Sequence, residues 1–196
     1  MRSEDFVEPD VLSQQQHNIH YDQEAFGIGG PLTVTYLKEY SDSHQHWHES
    51  LNRLGVPTNK SHLSGSNVGV WTNVVAVDPR EATRSYSAPA YYLPNKDRTN
   101  LIVLTDAVVR EILLEHHGQG LAATGVRFDH GEEQFTATAS KEIIVAAGTV
   151  ASPQLLELSG IGNPSILEGA SIPVKVANAN VGENVQEHMS TATPAR

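Results

Sequence analysis

Apolar residues recur along this chain at two periods, and the change from one to the other divides it. From Asn100 onward the period is two: Leu101 and Val103, then Val108, Ile112 and Leu114, stand against Arg110, Glu111 and Glu115. Residues 116–120 turn the chain, 123–128 run back, Asp129-His130-Gly131 turns it again, and 134–139 form a third segment. Alternation broken by glycine-containing turns predicts a β-meander. It leads directly into Ile143, Ile144, Val145, Ala146 and Ala147, an unbroken apolar run that suits a strand covered on both faces. Gly148 ends the run. Ser152 is the predicted N-cap, and Pro153 the predicted first position, of a helix through Leu155, Leu156 and Leu158 that stops at Ser159 and Gly160. Asn163 and Pro164 start a short helix through Ile166 and Leu167 to Gly169; residues 172–176 read as a further strand, and 178–182 bend the chain.

Upstream of Asn100 the pattern is helical or irregular. Residues 1–26 are polar and weakly periodic, which predicts a loop or an irregular helical lead-in. A turn over 27–31 precedes a strand over 32–37, where Leu32, Val34 and Tyr36 alternate with Thr33, Thr35 and Leu37 and one face is buried. Ser41 or Asp42 caps a helix running to Leu54, with Trp47, Leu51 and Leu54 as its apolar stripe and Gly55 as its stop. Residues 56–73, rich in Gly, Ser, Asn and Pro, read as an exposed loop that enters a strand over 71–77. Residues 81–94 carry apolar positions at helical spacing, interrupted by Pro89, which removes one internal hydrogen bond and kinks a helix unless a cap resets there.

Composition narrows the class. The hydrophobic content is 39%, or about 46–47% with the 15 glycines added, inside the usual globular range of roughly 45–50%. At 196 residues the chain is long enough for one domain or parts of two. Thirteen basic against twenty-three acidic residues leave a net charge of −10, which disfavours nucleic acid as a partner because phosphate binding draws on clustered Lys and Arg. The absence of cysteine excludes disulfides, thiolate zinc sites and iron–sulfur ligation within the chain. No apolar run approaches the roughly 18–20 residues of a membrane span, and the first residues lack an apolar signal-peptide core, so no membrane partner is expected.

Chemistry is most legible over residues 141–162. A strand, a glycine turn and a helix N-terminus in succession offer free N–H groups and a positive dipole end to a phosphate or an oxyanion, and Gly148 lets the backbone approach such a group closely. The same order also suits an ordinary strand-to-helix connection in a layered domain. His44 and His48 share a helix face, but no carboxylate is spaced as a third ligand beside them, so a solvated polar face and no metal are expected. His116 and His117 sit at a turn, where exposure is the default. A Gly-x-Ser-x-Gly nucleophile elbow is missing: Leu63-Ser64-Gly65-Ser66 and Leu158-Ser159-Gly160 both have the wrong register.

Gly148-Thr149-x-x-Ser152-Pro153-x-Leu155-Leu156-x-x-Ser159-Gly160-Ile161-Gly162 resembles, at every defined position, the second signature of the glucose–methanol–choline (GMC) family of FAD-dependent oxidoreductases. Arg98-x-Asn100-Leu101-x-Val103-Leu104-Thr105 upstream and Val181-Gly182-Glu183-Asn184-Val185-Gln186-Glu187-His188 downstream resemble two further family blocks in family order, and Gly30-Pro31-Leu32-x-Val34 an earlier one. Val185 and Glu187 depart mildly from the downstream block, and the Pro-Gly before it is Ala179-Asn180 here.

The resemblance implies an α/β (α+β) fold: a fragment of a two-domain flavoprotein, with residues 1–97 part of an antiparallel-sheet substrate domain. Residues 98–196 would be part of a Rossmann-like FAD-binding domain with its β-meander. It implies FAD as cofactor, an alcohol or sugar as small-molecule substrate, and oxygen or another electron acceptor. Cofactor contacts would fall at Val109, whose counterpart in relatives touches the adenine side of FAD through its backbone, and at Gly148. The family's catalytic histidine and its His or Asn partner lie further C-terminal, so no residue here inherits a catalytic role. No Gly-x-Gly-x-x-Gly phosphate loop is present, since Gly27-Ile28-Gly29-Gly30-Pro31-Leu32 has the wrong spacing, and the chain therefore reads as a central fragment. Family relatives are often secreted by fungi, though the chain carries no address of its own. The alternative reading is a truncated, inactive relative acting as a binding module, or an incomplete gene product.

Overall fold

The structure, a computed structural model, describes residues 4–118 and 120–188. Contacts divide the chain into two compact units between Ile102 and Val103.

The first unit opens with β1 (Glu4–Phe6), a short strand, where the sequence predicted only a polar lead-in. It pairs in parallel with β2 (Leu32–Val34), Phe6 opposite Val34. Between them, α1 (Val11–Gln16) starts where the Asp10 carboxylate accepts the Ser13 N–H at 2.8 Å, the bond that chiefly holds this carboxyl below its usual range. The strand expected over 32–37 is a ladder only to Val34. Beyond it, Thr35 and Val75 exchange both backbone bonds, at 2.9 and 2.7 Å. The threonine face, Thr33 and Thr35, is buried along with Tyr36. Phe6, Tyr21, Phe26 and Tyr36 form an aromatic cluster in which Phe6 stacks on Phe26 with ring centroids 3.9 Å apart.

The helix predicted after Ser41 is α2 (Ser43–Arg53), but a different face is buried. Trp47 is 55% and Leu54 80% exposed, whereas His48 is 1% exposed. Thr72 is the reason. Its hydroxyl donates to the His17 carbonyl at 2.6 Å and lies 2.9 Å from His44 Nε2 and 3.3 Å from His48 Nε2, so the imidazoles find polar partners inside. The solvated histidine face is thereby corrected for His44 and His48. Among the described residues no three such side chains converge as a metal site.

The strand expected over 71–77 is reduced to β3 (Val77–Asp78), which pairs antiparallel with β4 (Thr83–Arg84). A helix spanning 81–94 is likewise overturned. The Asp78–Arg80 ion pair, 2.8 Å, closes the β3–β4 turn, and helical turns form only at Ala88–Tyr92 and Leu93–Asn95, with Pro89 tolerated near their start.

In the second unit the meander forms: β5 (Ala107–His117), β6 (Gly120–His130) and β7 (Glu133–Thr138) make an antiparallel sheet in sequence order. Its first strand starts at Ala107 and not at Leu101, and His116 and His117, expected in the turn, end β5 paired with Leu121 and Gly120, which tightens the turn. The buried strand predicted over 143–147 does not form. Ile144 is 78% exposed and the segment joins no ladder, because no strand among the described residues lies beside it to take its N–H and C=O groups. After it come α3 (Gly148–Leu158), β8 (Ile161–Gly162), α4 (Pro164–Gly169) and β9 (Val176–Ala177). Asn163 caps α4 by accepting the Ser165 N–H at 3.1 Å, with Pro164 at its first position as predicted. The expected strand over 172–176 is only its end: β9 pairs in parallel with β8.

Candidate cofactor site

The site is built on α3. Gly148 has φ +87°, a left-handed conformation that favours glycine, and it opens the helix five residues before the predicted first position. Ser152 is therefore not the N-cap and Pro153 lies inside the helix, where its missing N–H leaves the Thr149 carbonyl without its usual partner. Ala147, the actual N-cap, provides no side-chain hydrogen bond. The first-turn N–H groups thus have no intrahelical acceptor, and Gly148, Thr149 and Val150 are exposed. A β-carbon at Gly148 would meet nothing within 4 Å, so the demand for glycine is conformational and the space in front of the helix is open. An uncapped, exposed helix start with a positive dipole end fits a phosphate or an anionic ring oxygen, and hence fits FAD.

The other end of α3 is anchored. Ser159 is 1% exposed; its hydroxyl accepts the Ile112 N–H of β5 at 2.8 Å and donates to the Leu155 carbonyl at 2.6 Å. An exposed tie runs parallel to it: Glu111 takes Lys175 at 3.0 Å and Arg127 at 2.9 Å. Stranding a buried N–H costs about 1–3 kcal/mol, whereas an exposed ion pair contributes about 0.2–1 kcal/mol, so Ser159 dominates. Glu157 forms a third contact. A β-carbon at Gly182, φ +77°, would stand 3.2 Å from Glu157 Oε1, and one at Gly162 would stand 3.2 Å from Glu157 Cγ. The 181–188 segment therefore approaches α3 at Gly182, where a side chain would have to displace the Glu157 carboxylate.

Val109 lies in β5 opposite Phe128, with a register irregularity between Val109 and Glu111, and is 40% exposed. Arg110, in the irregularity, donates to Asp129 at 2.7 Å and holds that carboxyl below its usual range. Val109 and Gly148 belong to one unit and are linked through Ile112, Ser159 and α3. In the sequence Ser159 is legible as a helix stop and as one position of the family signature; its tie to β5 is not, because Ile112 lies 47 residues away.

Comparison with known proteins places this geometry. A family model described as GMC oxidoreductase matches residues 5–190. The chain is 38% identical over 192 residues to the dehydrogenase mpl7 of Monascus purpureus, covering 95% of itself and 29% of that protein. It is 34% identical over 191 residues to the GMC oxidoreductase family protein Mala s 12 of Malassezia sympodialis, covering 31% of its length. A solved FAD-dependent oxidoreductase from Chaetomium thermophilum superimposes on 90% of the chain with a TM-score of 0.83 and 32% identity, the chain covering 30% of it. The fold of the chain thus resembles that of an FAD-dependent oxidoreductase. The chain belongs to the GMC oxidoreductase family. It spans about three tenths of the length of the curated relatives it matches.

Proposed function

We propose that the native protein containing this chain oxidises the CH–OH group of an alcohol or a sugar. Bound FAD would supply the hydride acceptor, with oxygen or another electron acceptor completing the cycle. The observation that carries this reading is the family match over residues 5–190. Within the chain the work is binding and orientation: the α3 N-terminus at Gly148 would hold an anionic part of the cofactor, and the β5 backbone at Val109 its adenine side. No side chain of this chain is assigned as acid or base. Residues 1–97 contribute to the substrate domain and 98–196 to the FAD domain. The first unit carries both an apolar hollow of about 380 Å³, lined by Phe26, Leu32, Val34, Leu63, Val74 and Ala76 among others, and a polar one of about 460 Å³ that includes Asp5, Asp78, Arg80 and Arg84, so alcohol and sugar both stay in the proposal.

The test is anaerobic incubation of the native protein with aryl, aliphatic and sugar alcohols, followed by identification of the carbonyl product. Oxidation of at least one supports the reading; a flavin-loaded protein that oxidises none refutes it. A second reading, a catalytically inactive relative serving as a binding module, draws support from apolar side chains that the described residues leave uncovered: Ile102 is 88%, Val150 80% and Val185 68% exposed. The same panel separates the two.

A further inference from the structure

We propose that Ser159 is a positioning residue for FAD: its hydroxyl sets the spacing between the β5 backbone at Val109 and the helix start at Gly148, so that one dinucleotide reaches both. The inference rests on the FAD-binding reading above. Both hydrogen-bonding directions of the hydroxyl are used, toward Ile112 N–H at 2.8 Å and Leu155 C=O at 2.6 Å, so it has one orientation. Ile112 is itself buried, and β5 is an outer strand of the meander whose outward N–H groups have no ladder partner in the sheet. Ser159 supplies the missing acceptor at one of them. Val109 lies three residues from Ile112, across the irregularity at Arg110. Gly148 lies at the opposite end of α3, an 11-residue helix about 16 Å long. A helix is stiff on that length, so fastening its far end to β5 fixes where its near end stands.

FAD joins an adenylate half to a flavin mononucleotide half; in this arrangement the adenylate half would meet β5 and the flavin mononucleotide half, its phosphate included, the start of α3. A ligand that spans both ends gains from correct spacing; a ligand that touches one end does not. That difference separates positioning from general support of the fold.

Ser159→Ala and the near-isosteric Ser159→Cys, whose thiol is a weak acceptor, are made in the native protein and stripped of flavin. FAD and FMN are titrated by flavin fluorescence and AMP, the adenylate half alone, by calorimetry. FAD binding weakens about tenfold in both variants, whereas FMN and AMP each change by less than about twofold. Ser159→Thr, which keeps the hydroxyl, recovers FAD binding. Lys175→Met, which cuts only the exposed tie to Glu111, leaves it within about twofold. Equal weakening of all three ligands, or unaltered FAD binding, overturns the positioning role. Should Ser159→Ala not fold, amide exchange at Ile112 in Ser159→Cys decides: faster exchange supports the clamp and unchanged protection overturns it. A folded wild-type protein that takes up no FAD sinks the cofactor reading and the clamp with it.

Discussion

At the scale of single residues, two glycines on or beside α3 carry different demands. Gly148 has open space around its α-carbon, so a side chain there is strained by φ +87° alone, while Gly182 combines φ +77° with a 3.2 Å approach to Glu157. Gly148→Val is expected to lower the flavin-to-protein ratio of the native protein, because a β-branched residue in the left-handed region costs about 1–3 kcal/mol and distorts the helix start. A full flavin complement would remove Gly148 from the cofactor site. Gly182→Ala should lower the unfolding free energy by about 1–2 kcal/mol through both strain and displacement of Glu157, as denaturant unfolding would measure. An unchanged midpoint would contradict the close approach. The importance of Gly148 could be read from its place between an apolar run and a helix signal. That of Ser159 could not, since its partner Ile112 is 47 residues away in sequence.

At the scale of elements, α2 makes a pH prediction. Burial lowers the affinity of both His44 and His48 for protons. The groups facing them are His17 and His20, also imidazoles, with Tyr40 stacked on His44 and Lys60 acting on His20; none is a carboxylate that would favour the charged form. In the unfolded chain His44 and His48 titrate near 6.5, so the unfolded state binds more protons below that pH. Their contribution to stability is therefore complete above about pH 6.5 and is lost as the pH falls beneath it. The thermal midpoint should drop between about pH 6.5 and 5, and His48→Gln should flatten that slope; an equally steep decline in the variant would discount the cluster. The histidine face was misread because imidazole is neither reliably polar nor apolar, and Thr72, which makes it a core residue, lies 24 residues beyond His48. The meander and α4 were legible because period-two alternation, glycine turns and an Asn-Pro cap act locally. Residues 143–147 failed for the opposite reason: a buried strand is completed only by neighbours, and none stands beside it among the described residues.

At the scale of the whole molecule, the two units leave large apolar side chains uncovered, Ile102, Ile144 and Val150 among them, while the relatives are about three times as long. The 196-residue chain expressed by itself is accordingly expected to be colourless, inactive and of low stability, with a broad thermal transition rather than a cooperative one. Alcohol oxidation by the isolated chain would contradict that expectation. The native protein is proposed to carry FAD and to be reduced by an alcohol. Its absorbance spectrum, recorded anaerobically before and after addition of aryl and aliphatic alcohols, tests this most directly. The expected result is an oxidised flavin spectrum that bleaches with at least one of them, and release of FAD when the protein is denatured. A folded native protein that shows no flavin band, even after incubation with excess FAD, would contradict it.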